Sequence, residues 1–213
     1  MWVARVPDTR PKGALTRNSA RERILEAAYD LFSRQGIRAV GIDAIIERAG
    51  VARMSLYNHF GSKDELVLVF LQLREERWTQ QWLMREIERR GGPPRARLLG
   101  LFDLLDEWFQ RPDYEGCAYI KVLLETPDPE DAAHRASANY LGKIRDFIAM
   151  LARDANVADP EELACQWQIL MKGSIVSALE GDRSAARSAR KVAEVLLEHR
   201  VTQTTPAQGS RLR

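Results

Sequence analysis

Apolar positions along this chain recur every three to four residues from about residue 19 to residue 200, with no useful run of strand-like alternation and no internal repeat. The first stripe, Ile24, Ala28, Leu31 and Phe32, follows Ser19 and Glu22, which have the spacing of a capping box, and it ends at Gly36. The second stripe, Ile42, Ile45, Ile46 and Ala49, lasts two turns and closes at Gly50. A very short helix is predicted next, over 53–59. Ser62 and Glu65 repeat the box spacing and open a long helix over 63–89, which stops at Gly91-Gly92-Pro93-Pro94. Further helices are predicted over 94–110 and 116–125. Asp128-Pro129-Glu130-Asp131 and Asp159-Pro160-Glu161-Glu162 each combine an aspartate cap, a proline suited to the first helical position and acids for the first turn. They start a seventh helix, running to about residue 154, and an eighth. Gly181-Asp182 separates the eighth from a ninth that ends near residue 200. The expected fold class is all-α, with nine helices.

With 45% hydrophobic and 29% charged residues over 213 positions, the chain can bury an ordinary core. No apolar run approaches the roughly 18–20 residues of a membrane span. The charged, proline-containing start is not a secretory signal. The two cysteines, Cys117 and Cys165, come without a CxxC or a nearby histidine cluster, which argues against a disulfide framework or a structural zinc site. The composition points to a cytoplasmic protein without metal or cofactor. The charge is lopsided: residues 1–63 carry 11 Lys/Arg against 6 Asp/Glu, and residues 64–213 carry 21 against 24. A basic end on a slightly acidic body suits a polyanionic partner. Residues 1–18, with Arg5, Arg10, Lys12 and Arg17 among Pro7, Pro11 and Gly13, read as a disordered basic arm, and 201–213 as a disordered tail.

Residues 42–59 carry the functional signal. Two short helices meet at Ala49-Gly50-Val51, where glycine permits the left-handed backbone of a tight turn. Ala44 and Ala49 are small enough to let the helices cross closely, and such a unit can lay its second helix in a major groove. The alternative is a helical hairpin buried in some other all-α fold. Against it, Arg53, Ser55, Asn58 and His59 are costly to bury without partners. Residues 23–67 closely resemble the DNA-binding domain of TetR-family regulators. The resemblance rests on Ala49-Gly50-Val51, Leu56-Tyr57-Asn58-His59-Phe60 and Ser62-Lys63-Asp64-Glu65-Leu66. The later helices match the family's layout more loosely.

The resemblance implies roles. Arg53 stands where a side chain would first enter the groove, and it can pair bidentately with guanine O6 and N7. Met54 replaces the family's frequent glycine or small residue; it either touches a thymine methyl or packs against the turn. The hydroxyls of Ser55 and Tyr57 suit phosphate oxygens, which set register rather than sequence. Asn58 suits adenine or a phosphate. Lys63 adds charge at a helix N-terminus, and Gly41 and Ile42 open the second helix, where backbone amides face the phosphates likewise. His59 is either a phosphate contact or a structural hydrogen bonder beside Phe60, and Leu56 and Phe60 read as core. Ala52 departs from the family's Ser or Thr, removing a cap worth about 1 kcal/mol.

The implied architecture has two domains: a three-helix, helix-turn-helix DNA-binding domain over 19–66 and a helical regulatory and dimerisation domain over 67–200. Specific binding by one short helix generally takes two copies on a palindrome. The eighth helix is apolar on two faces: Leu163, Trp167, Leu170, Met171, Ser174, Ile175 and Ala178 on one, and Ile169, Gly173 and Val176 on the other. A helix of that kind is buried on two sides. Ile169, Gly173 and Val176, with Val195 and Leu197 of the ninth helix, are the expected homodimer contacts. The partners expected are therefore double-stranded DNA, a second copy of the chain and a small-molecule effector, with no membrane. A family-like pocket would draw on Trp82, Trp108, Cys117, Tyr119, Glu125, Trp167 and Met171, which suit an apolar or aromatic effector, although simple core accounts for most of the bulky residues. The function implied is that of a transcriptional repressor. An all-α enzyme is the poorer reading, because no Glu-x-x-His pair and no glycine-rich phosphate loop occurs. A helical interaction protein that keeps the helix-turn-helix as scaffold has Arg53 and the basic arm against it.

Overall fold

In the computed structural model of the protein, residues 19–200 are described. The expectations of a basic arm over 1–18 and a tail over 201–213 lie outside the described residues. Helix α1 (Ala20–Gln35) opens on a complete capping box: Ser19 Oγ accepts the Glu22 N–H at 3.2 Å, and the Glu22 carboxylate accepts the Ser19 N–H at 2.8 Å. Helices α2 (Ile42–Ala49) and α3 (Arg53–Phe60) follow. At the next cap only half the box forms. Ser62 Oγ accepts from Glu65 N–H at 3.1 Å, but the Ser62 N–H turns back to the Phe60 carbonyl at 2.7 Å. Gly61, at φ 68°, makes that reversal possible.

The long helix predicted over 63–89 is a composite rod. It comprises α4 (Lys63–Arg74), a π-helical segment (Glu75–Met84) and α5 (Arg85–Arg90), and the backbone stays right-handed at both joints. Counted once, the rod joins α6 (Pro94–Phe109), α7 (Ala118–Glu125), α8 (Ala132–Asp154), α9 (Pro160–Leu179) and α10 (Ala185–Arg200) to give nine helices, and no strand occurs among the described residues. The start of α8 is later than predicted. The Asp128 carboxylate accepts the Glu130 N–H and its carbonyl the Asp131 N–H, in a turn, and the cap falls to Asp131, whose carboxylate accepts the N–H groups of Ala133 and His134 at 2.7 and 3.2 Å. None of the described helices is long and apolar enough to cross a membrane.

The described residues divide into two compact units, 19–89 with 115–144 and 90–114 with 145–200. In the first, Ile24, Ala28 and Phe32 of α1 are buried with Ile45, Leu56, Leu66 and Phe70, and Phe32 meets Phe70 edge-on at 5.4 Å. Here α1 packs against α2, α3 and α4, and α7 packs against α4. The rod also carries a buried charge. Arg74 donates to the Tyr29 hydroxyl at 3.1 Å and to the Glu115 carboxylate at 3.0 Å, which satisfies a guanidinium that would be costly to leave unpaired. In the second unit α10 packs against α6 and α9, around Trp167. That indole is fully buried, lies 5.3 Å from the Phe102 ring and donates from Nε1 to the Leu98 carbonyl at 3.3 Å. This polar partner lets a tryptophan serve as core.

Candidate nucleic-acid interface

Helix α2 starts at Gly41 without a side-chain cap and ends at Gly50, whose φ of 62° and ψ of 46° are left-handed. The chain then crosses Val51 and Ala52 into α3. Ala52 supplies no side-chain cap, as its type dictates, and the Ser55 N–H is met instead by the Ala52 carbonyl at 2.9 Å. Two buried side chains, Ile45 and Leu56, fix α2 on α3, with Ala49 and Phe60 also buried. Burial of Leu56 and Phe60 aims the rest of α3 outward. Arg53, Met54, Tyr57, Asn58 and His59 are exposed, while Ser55 is half-buried. Met54 is 67% exposed, so it does not pack against the turn. The His59 ring lies edge-on to Phe60, with centroids 6.5 Å apart. Beside α3, Gly41 is exposed, Ile42 is half-buried, and Lys63 begins the Ser62-capped α4.

The outward face has internal electrostatics that the sequence did not reveal. The Arg53 guanidinium is ion-paired with the carboxylate of Asp43, in the first turn of α2. Asp43, and more weakly Tyr57, favour the charged form of Arg53 and raise its pKa. Asp30 similarly holds Arg34 at 2.8 Å and also pairs with Arg48.

A family model for bacterial regulatory proteins of the tetR family matches residues 24–69, the segment that builds this surface. The chain belongs to the TetR family. Among curated relatives, the HTH-type transcriptional regulator YjdC of Escherichia coli is 25% identical over 182 residues, covering 83% of this chain and 93% of that protein. The HTH-type transcriptional repressor KstR2 of Mycobacterium tuberculosis is 39% identical over 88 residues, 40% of this chain and 42% of that protein. A solved TetR-family transcriptional regulator from Streptomyces coelicolor superposes with a TM-score of 0.79 at 24% identity, over 86% of this chain and 96% of that one. This TetR-family chain is accordingly a transcription regulator with a DNA-binding helix-turn-helix, not an enzyme.

The seven effector-site candidates are distributed over both units of this TetR-family protein: Trp82, Cys117, Tyr119 and Glu125 in the first, Trp108, Trp167 and Met171 in the second. Trp167, Met171, Trp108, Cys117 and Tyr119 are buried, and Trp82 is half-exposed, 5.1 Å from the Trp78 ring. Burial pushes the Tyr119 phenol well above its ordinary range, although Thr79 Oγ1 lies 3.3 Å from its hydroxyl. Glu125 departs from expectation. Its carboxylate accepts the backbone N–H groups of Ile37 and Arg38 at 2.7 and 2.9 Å, so it holds the loop after α1 rather than standing ready for an effector.

One turn back on α7, the Lys121 ammonium donates to the Ser33 carbonyl at 2.7 Å. Lys121 and Glu125 thus serve both kinds of orphan group where α1 ends, carbonyls with a cation and amides with an anion. The i, i+4 spacing of Lys121 and Glu125 marks a shared face of α7, but nothing in the sequence says that α1 lies opposite.

The dimer candidates mostly face outward. Ile169, Gly173 and Val176 lie on an exposed stripe of α9, and Val195 is exposed on α10. Leu197 is the correction. It is fully buried within its own unit, because α10 turns that position toward the core, and the outward apolar neighbour is Val192.

Proposed function

We propose that the protein is a cytoplasmic repressor that binds a palindromic operator as a homodimer and is released by a small hydrophobic or aromatic effector. Residues 19–66 form the DNA-binding module in this reading, and 67–200 the regulatory and dimerisation part. The observation that carries it is the division of α3: Leu56 and Phe60 are buried while Arg53, Met54, Tyr57 and Asn58 face outward. Arg53 and Asn58 read bases, and Met54 offers a methyl-sized apolar contact to thymine. Ser55, Tyr57, His59, Lys63 and the amides at Gly41 and Ile42 take phosphates. The exposed stripe of Ile169, Gly173 and Val176 with Val192 and Val195 supports pairing with a second copy, because α9 and α10 lie together in one unit and both leave apolar side chains in water. A repressor among the relatives supports the direction of regulation.

An effector that prefers one dimer geometry would move the two α3 helices away from the one-turn spacing, about 34–36 Å, that B-DNA requires. The aromatic and apolar character of the candidates within each unit, Trp82 and Tyr119 in the first and Trp108, Trp167 and Met171 in the second, favours an apolar compound.

The direct test is selection of DNA from a random pool by the full-length protein, followed by binding across a salt series. A palindromic winner holding two chains, with affinity falling steeply as salt rises, is expected. No enrichment would overturn the reading in favour of a helix-turn-helix kept as scaffold. Arg53→Ala should lose roughly 1–3 kcal/mol of discrimination at one position of each half-site. Lys63→Ala should weaken all sequences alike and flatten the salt slope. Equal loss on matched and mismatched sites for Arg53→Ala would remove it from the base readers.

A further inference from the structure

The ion pair between α2 and α3 joins the second residue of one helix to the first residue of the other. Both groups are open to water, with Arg53 54% and Asp43 79% exposed. A pair so exposed contributes little to folding. Its place is nonetheless peculiar for a surface meant for a polyanion. An unpaired carboxylate on that rim would repel the phosphates, within a screening length of about 10 Å. Paired with Arg53, it is neutralised. The same pairing withholds Arg53 from indiscriminate use, because a guanidinium already tied to a carboxylate adds almost no net charge to the face.

A guanidinium has five N–H donors in a rigid planar fork, so one edge can be held while another stays available. About half of the Arg53 side chain stays in solvent while Asp43 holds one of its nitrogens. Holding one edge fixes the plane of the other, and bidentate pairing with a base edge depends on that plane. Left free, a long arginine side chain samples many rotamers and reaches phosphates as readily as bases. The helix ends that carry the pair are themselves rigid: Ile45 and Leu56 are fully buried, and Gly50 sets the turn between them.

We propose that Asp43 is a positioning residue for sequence recognition, which orients the Arg53 guanidinium toward a base edge and keeps it off the phosphate backbone. This rests on the DNA-binding reading given above and adds to it a residue that does not itself touch the base. Asp43 converts a general attraction for nucleic acid into a directional contact.

The test compares wild type with Asp43→Ala, Asp43→Asn, Arg53→Ala and the Asp43→Ala/Arg53→Ala pair in the full-length protein. The probe is the operator selected by wild type, with its single-base variants, each measured across a salt series. Asp43→Ala should lower discrimination at the Arg53 base position by about fivefold or more. It should also tighten binding to unrelated DNA and steepen the salt slope by close to one phosphate contact per protomer. Asp43→Asn, which keeps an acceptor oxygen but loses the charge, should fall between wild type and Asp43→Ala. In the Arg53→Ala background, removing Asp43 should change base preference no further.

A merely structural role for Asp43, as an acid in the first turn of α2, would lower the melting temperature and weaken all sequences together. That pattern would overturn the proposal, as would base discrimination unchanged in Asp43→Ala. If Arg53→Ala shifts the base preference and Asp43→Ala does not, positioning alone is wrong. If Arg53→Ala shifts nothing although an operator was selected, the base-reading role fails and positioning falls with it. If no operator is selected, it is the DNA-binding reading that has failed.

Discussion

Gly36→Ala is expected to destabilise the protein by about 3–4 kcal/mol, a large fraction of a typical domain's stability. Gly36 has φ 83° and ψ 169°, a region that side-chain-bearing residues essentially never adopt, and occupying it costs on the order of 1–3 kcal/mol. The added Cβ would also lie 1.8 Å from Oε1 of Glu125. A free carboxylate could swing aside cheaply. This one holds the N–H groups of Ile37 and Arg38, and a hydrogen bond to a charged group is worth about 1.5–3 kcal/mol. The Arg38 amide is exposed and recovers water, which keeps the total below the sum of the parts. Glu125→Ala alone should cost about 2 kcal/mol. Urea titration of both variants and their combination separates the causes: with the clash relieved, Gly36→Ala should cost less in the Glu125→Ala background than in wild type. A cost below about 1 kcal/mol, or strict additivity, would show that Glu125 does not grip this loop in solution.

The second large effect is expected on assembly. Ile169 is 69% exposed at the start of the α9 stripe, so Ile169→Glu should leave the fold almost untouched, within about 0.5 kcal/mol. In a two-fold dimer the same patch meets itself, so each interface receives two new carboxylates. Facing like charges across an interface cost several kcal/mol, which should raise the dimer dissociation constant by more than about a thousandfold. Sedimentation should then find a folded monomer at micromolar concentration, and binding to the full operator should fall to that of a single half-site. A variant that stays dimeric would place the interface elsewhere.

How much of this was visible beforehand depends on the scale of the pattern. The helices were legible because stripes such as Ile24, Ala28, Leu31 and Phe32 report local periodicity, and the cap at Ser19 formed as its spacing implies. The half-formed box at Ser62 shows the limit: the positive φ of Gly61 redirected the Ser62 N–H, and a spacing rule does not contain that angle. The π-helical segment was invisible for a related reason, since its widened turn still presents an apolar stripe.

Within the site, the inward Leu56 and Phe60 and the outward Arg53 and Asn58 of α3 follow polarity, whereas the apolar Met54 faces outward against it. The pairing of Arg53 with Asp43 does not, because it depends on a crossing of two helices that brings together residues ten apart in the chain. The role of Glu125 is hidden in the sequence for the same reason. A lone acid at the end of an apolar helix suggests a handle for a ligand until the neighbouring backbone is known. Val195 and Leu197 look equivalent in the sequence of a helix apolar over much of its circumference, yet Val195 faces outward and Leu197 the core.

The grip of Lys121 and Glu125 on the end of α1 bears on protein engineering. Chimeric regulators are commonly imagined as a reading head cut from one protein and joined to the sensor of another. In this chain a cut after residue 66 would separate the Ser33 carbonyl and the Ile37 and Arg38 amides from the side chains that satisfy them. A recipient whose equivalent helix lacks that cation and anion, four residues apart, would leave those groups to water and loosen the support beneath α2. The transplantable piece is therefore discontinuous. It consists of residues 19–66 together with α7, and a graft that moves both should keep its melting behaviour where a graft of the first alone does not.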